Sequence, residues 1–133
     1  MADAKEKVIS MMASVAGVNL NSAADTETAL YTVPTGKEFL PFGVRIHSLS
    51  ADAAAAVVTF GKTGGSCDEF LGDQTLSGLD GTTKTTVCQP VPAATPVAQT
   101  ILTAGEVFGV EITTPAGGAC TCTMEPLGRL RDA

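Results

Sequence analysis

The apolar residues of this chain change their period at Gly17. Before it, Val8, Met11, Met12 and Val15 recur at i, i+3, i+4 and i+7, which is one stripe of an α-helix. Asp3 followed by Glu6 resembles a capping box and Gly17 is placed to end the element, so the spacing predicts a short helix over 4–16. An amphipathic helix this short is marginal alone and must pack on something. The choice is between a cover for an open end of its own domain and an arm docked on another chain. The expected organisation is therefore a helical arm over 1–17 followed by one β domain over 18–133.

After Gly17 the pattern alternates, Thr and Val replace Lys and Glu, and turn residues arrive at short intervals. Strands are predicted over 29–33, 38–49, 54–61, 82–89, 98–102, 106–113 and 119–130. Phe42, Val44 and Ile46 are expected to share one face of the second, and Phe108, Val110 and Ile112 one face of the sixth. Between them lie Pro34-Thr35-Gly36, Gly64-Gly65-Ser66, Asp80-Gly81, Ala104-Gly105 and Pro115-Ala116-Gly117-Gly118, all chemically suited to turns. The run 53–56 has helical propensity but leads straight into Val57, Val58 and Phe60, so it is assigned to a strand. Three prolines within 90–96 rule out a central strand there and predict an extended surface connection. Short strands spaced by such turns predict an all-β fold, a jelly-roll-like antiparallel β-sandwich with a short N-terminal helix or arm.

Composition narrows the partners. The 133 residues are 44% hydrophobic and 17% charged, which suits one folded domain and excludes intrinsic disorder. No apolar run approaches the roughly 18 residues of a transmembrane helix, so no membrane partner is expected. A net charge of -6, with eight basic residues scattered from Lys5 to Arg131, argues against nucleic acid. Asp3 and Glu6 and the lack of an apolar core near the start speak against a signal peptide, so synthesis in a cytoplasm is expected.

None of the residues suited to chemistry falls into a catalytic or ligand-binding spacing. Cys67, Cys88, Cys120 and Cys122 amount to one tetrahedral zinc set but lack Cys-x2-Cys knuckles, and they read as buried thiols. Gly61-Lys62-Thr63 resembles the end of a P-loop, yet Ala56 stands where that loop needs its first glycine. His47 is the single histidine, placed by alternation beside Arg45 on a polar strand face, and no serine sits in a nucleophile elbow. Asp68, Glu69, Asp73 and Asp80 gather acid in a loop-rich stretch without a calcium-loop pattern. A glycosidase pair among them would lack aromatic platforms, since Tyr31 is the one Tyr and there is no Trp. No catalytic residue, metal site or cofactor is assigned, and a non-enzymatic role is expected.

Three stretches carry a family likeness: Leu30-Tyr31-Thr32-Val33-Pro34-Thr35-Gly36-Lys37 leading to Phe39; Phe60-Gly61 leading to Phe70-Leu71 and Gln74-Thr75-Leu76-Ser77-Gly78-Leu79; and Leu102-Thr103-Ala104-Gly105-Glu106-Val107-Phe108-Gly109-Val110. Together they resemble small all-β virion proteins of tailed bacteriophages, most of all capsid cement or decoration proteins. The resemblance implies a structural role on the outer capsid surface, with the major capsid protein as partner and a homotrimer as the assembled form. Contact residues do not carry over from the family. Phage tail and fibre modules share the patterning, so a tail or fibre component with a host-surface or glycan-binding module is the alternative. A mean hydropathy of +0.25 leaves apolar area for subunit contacts. Exposed strand edges favour closed self-association, most simply a ring of three. Val8, Met11, Met12 and Val15 are the candidate intersubunit contact, because one stripe of four apolar side chains gains roughly 1.5–3 kcal/mol per residue on full burial.

Overall fold

The structure, a computed structural model, describes residues 9–91 and 93–133, and among them the regular elements are ten strands. In chain order these are Ser10–Met11 (β1), Val15–Asn19 (β2), Glu27–Thr32 (β3), Lys37–His47 (β4), Val57–Lys62 (β5), Leu71–Thr75 (β6), Thr86–Cys88 (β7), Leu102–Thr103 (β8), Val107–Thr114 (β9) and Thr121–Asp132 (β10). All pairings are antiparallel. One sheet runs β1-β10-β4-β7, with β2 beside β1 on the same edge of β10 and β8 beside β7 on the same edge of β4. The other runs β3-β9-β5-β6. Four strand positions thus face four, a jelly-roll-like sandwich as the alternation predicts.

The two inner faces meet on an aromatic chain. Phe39, Phe60 and Phe108 are fully buried. Phe39 meets Tyr31 and Phe108 edge to face at 5.3 and 5.6 Å, and Phe108 adds Phe70 at 5.7 Å and a stacked Phe60 at 6.4 Å. Val110 and Ile112 join Phe108 in the core, as their alternation in β9 requires.

Phe42 departs from the expected face. Val44 and Ile46 are fully buried, whereas Phe42 is 39% exposed. The cause is a β-bulge: Leu127 pairs with Gly43 but Gly128 pairs with Pro41, so β4 spends one extra residue at Phe42. The extra residue reverses the phase, and Phe39 rather than Phe42 reaches the core. Gly128 lies at the same place because a Cβ there would run into the Leu40 carbonyl and the Phe39 ring.

The arm is also extended rather than helical in its described part. β1 and β2 run down the edge of β10, with Ser10 opposite Gly128 and Asn19 opposite Thr121, and the Met12 N–H donates to Pro126 O at 2.9 Å between them. An open strand edge offers a row of unpaired backbone groups, which stabilises a short segment more than a marginal helix does. Residues 1–8, with the rest of the expected helix, lie outside the described residues. β2 itself spans the expected junction between arm and domain.

Two smaller differences have local causes. The run 53–56 forms a turn in which Asp52 Oδ1 accepts the Ala54 N–H at 2.7 Å, so β5 starts at Val57. β6, Leu-Gly-Asp-Gln-Thr, is an edge strand too polar to show alternation.

Candidate functional site

The outer faces of the two sheets differ in chemistry. On the four-stranded sheet, Glu27 stands directly opposite Glu111. Burial raises the Glu111 pKa above its ordinary value, and Glu27, Asp25, Asp68 and Glu69 push it further in the same direction. Part of this face is roofed by the loop after β5, whose backbone at Cys67, Asp68 and Glu69 crosses so close to Gly61 that a Cβ would collide. The buried Thr59 hydroxyl ties the loop down by donating to Cys67 O at 2.7 Å. The glycine of Gly61-Lys62-Thr63 therefore serves chain packing.

On the six-stranded sheet the outer face carries a buried carboxylate. Glu125, 8% exposed, accepts from the Ser14 hydroxyl at 2.9 Å and from the Arg45 guanidinium at 3.2 Å. His47 Nε2 lies at 3.2 Å from the same Oε1 that Arg45 meets. Burial opposes the charge, but Ser14, His47 and Arg45 outweigh it and hold the Glu125 pKa below the ordinary value. His47 Nδ1 also meets the Ser48 hydroxyl at 2.7 Å, so serine, imidazole and carboxylate adjoin here. Neither of the two grooves described below is lined by any of the three, and Glu125 is already occupied by Arg45 and Ser14. The sequence placed Arg45 and His47 on this face; Glu125 was missed because its meeting with them follows from the β4–β10 register, which no local pattern encodes.

Next to this cluster the face is apolar. Met11 pairs with Leu127, which pairs with Gly43, and Val87 pairs with Arg45 two residues further along β4. These partners share the outward side, opposite the buried Cys122, Met124 and Leu130 of β10. Ile9, Met11 and Val87 are 54%, 48% and 44% exposed. Ile9, Met11 and Leu127 make a short apolar row at the β1 edge, Gly43 continues it on β4 without a side chain, and Val87 stands at the β7 edge beside the half-exposed Arg45. Below it Arg131 donates to Glu38 at 2.9 Å.

Of the four candidate contact residues, Met12 joins the chain's own core, Val15 packs against that core, Met11 stands exposed on the row, and Val8 lies outside the described residues. The four cysteines are buried and free. Burial pushes the Cys67 thiol up to about 12, helped by Glu27, Glu111 and Glu69, and Cys122 up to about 12 with Cys120 beside it; Cys88 rises to about 11. They do not converge: among the described residues no three His, Cys, Asp or Glu side chains are grouped to hold a metal. Asp68 and Glu69 lie on the roofing loop and Asp73 in β6, while Asp80 pairs with Lys84 at 3.6 Å, so the acids expected together are dispersed.

Two grooves open at the β7 and β8 side. One of about 410 Å³ lies between Pro41, Phe42 and Phe70 and the connection 89–100, which is pinned where the Thr100 hydroxyl donates to Glu69 O at 2.7 Å. The other, about 220 Å³, is lined by β6, β7 and the turn between Leu76 and Leu79.

No family model matches the chain, and no curated protein matches it. Solved structures do. A chain of the capsid asymmetric unit of cyanophage Pam1 superposes with a TM-score of 0.61 at 14% identity, covering 95% of this chain and 84% of that one. A chain of the acidic stable capsid structure of Helicobacter pylori bacteriophage KHP30 gives 0.53 at 13% identity, covering 92% and 91%. At such low identity the likeness is one of fold, and it extends over nearly the whole length of each chain.

Proposed function

We propose that the protein is a virion structural component, a cement or decoration protein that binds the outside of the shell formed by the major capsid protein and acts there as a homotrimer. The observation that carries this reading is the end-to-end fold correspondence with chains from two phage capsid structures. The surface chemistry agrees with it. An apolar row on one sheet and carboxylates on the other suit a protein that attaches on one side and meets solvent on the other. The role proposed is structural rather than enzymatic, in keeping with the capsid structures from which both matching chains come.

Attachment by three subunits multiplies weak contacts, since after the first binds the others act at high effective concentration. Quantitative mass spectrometry of purified particles, joined to a cryo-electron map, tests the proposal. Copies in the hundreds on the outer shell are expected. A few copies confined to the tail would overturn it in favour of a tail or fibre component.

A further inference from the structure

The larger groove at the β7 and β8 side combines apolar walls with a single carboxylate. We infer that it takes a short extended peptide from another protein, with an apolar side chain and a Lys or Arg beside it. The inference deepens the shell attachment proposed above, and the shell as source of the peptide rests on that reading; the groove's preference for a basic and apolar peptide does not.

The walls come from three parts of the chain, each held by its own contacts. Pro41 and Phe42 lie at the bulge of β4, Phe70 is fixed edge to face on the core ring of Phe108 at 5.7 Å, and the far wall is pinned by the Thr100 bond to Glu69 O at 2.7 Å. The recess is therefore formed before a ligand arrives, which lowers the cost of binding. Phe42 on one side is 39% exposed and Val97 on the other 91%, so large apolar side chains stand ready for contact. The volume of about 410 Å³ falls in the roughly 300–1,000 Å³ range of ligand pockets.

Charge and polarity set what else the ligand carries. Glu69 is the one charged residue in the lining. Its carboxylate accepts the Lys62 backbone N–H at 3.3 Å, while the Lys62 ammonium lies 3.2 Å from Glu106, so no cation among the described residues neutralises it. Asp68 adjoins it in the chain, and both are close enough to Glu111 to oppose its ionisation. The net charge of -6 extends the same sign over the whole molecule. An acidic segment is therefore repelled and a basic one drawn in. Gln89 and Gln99 add uncharged amides that can pair with a peptide backbone. Apolar contact, backbone pairing and one carboxylate together fit an apolar peptide flanked by Lys or Arg.

Amide NMR titration of the full chain tests this with two capped peptides, acetyl-Gly-Arg-Leu-Leu-Gly-amide and the same sequence with Glu in place of Arg. The Arg peptide should shift the Phe70, Gln99 and Thr100 signals and bind about fivefold more tightly than the Glu peptide, a margin that Glu69→Gln removes. Val97→Asn, at a position exposed enough to leave the core untouched, should weaken binding about tenfold. Circular dichroism and thermal melting verify the fold of both variants. Equal binding of the two peptides, shifts confined to other residues, or no binding at millimolar peptide overturns the inference. Attachment to shells stripped of the protein is scored separately. A Val97→Asn variant that decorates them as well as wild type overturns the shell as source of the peptide. A wild type that binds the Arg peptide but no shell refutes the cement reading and supports the groove.

Discussion

Replacing Glu125 by Ala removes a buried carboxylate on which three strand positions converge: Ser14 beside β2, Arg45 and His47 on β4, and β10 itself. The loss is smaller than for a fully buried ion pair. The Arg45 side chain is 51% exposed and recovers water when released, so that pair contributes at the low end, about 0–1 kcal/mol. The Ser14 hydroxyl, also exposed, rehydrates, which leaves roughly 1 kcal/mol for its bond to a charged acceptor. The expected destabilisation is about 1–2 kcal/mol, a fall of several degrees in Tm for a domain of this size.

The pH dependence is a sharper check on Glu125. Its folded pKa lies below the ordinary 4.5, so its contribution is complete above the unfolded value and is lost as pH falls through the folded one. Urea denaturation of wild type and Glu125→Ala between neutral and acid pH should give stability curves that are separated at neutral pH and converge in acid. Curves that stay parallel, or that coincide at neutral pH, would refute the reasoning.

Glu111 has the opposite sign: its folded pKa is raised, so the charged form opposes folding at neutral pH and the penalty disappears as pH falls through that pKa. Glu111→Gln should stabilise by about 0.2–1 kcal/mol at neutral pH in thermal melts, with the gain shrinking in acid. The bulge predicts unequal phenylalanines: Phe39→Ala should cost about 3–5 kcal/mol and Phe42→Ala about 1 kcal/mol or less, measured by denaturant titration. The buried thiols, with Cys67 and Cys122 near 12 and Cys88 near 11, should react with a thiol reagent at mildly alkaline pH far more slowly in native protein than in urea.

The sandwich was legible where one face alone is buried. β9 alternates without interruption, and the turns at Gly36, Gly64, Gly105 and Gly117 hold the positive φ angles for which glycine is suited. β4 was legible as a strand but not in phase, because a bulge inserts one residue without altering composition. Its signal lay in Pro41 and Gly43 on either side of Phe42, residue types that gather where a ladder is irregular. The arm misled for a different reason. Spacing of i, i+3, i+4 and i+7 also fits two short extended pieces joined at a bend, and what selects between them is the edge of β10, more than a hundred residues away. The acidic outer face was legible as charge, but the opposition of Glu27 and Glu111 follows from a β3–β9 register that no local pattern encodes.

The connection 89–101 leaves the edge of β4 after Cys88 pairs with Val44 and returns where Leu102 pairs with Phe39. Each flank is thus registered by its own rungs on a strand that the connection does not have to build. Val91 and Val97 within it are 85% and 91% exposed, so this stretch adds little to the packed interior. Loop-closure entropy grows only logarithmically, and doubling the stretch costs about 0.6 kcal/mol. The interrupted edge is accordingly a splice point. Foreign peptide grafted between Pro90 and Pro96 would be carried clear of the sandwich, giving the scaffold a position for antigen display.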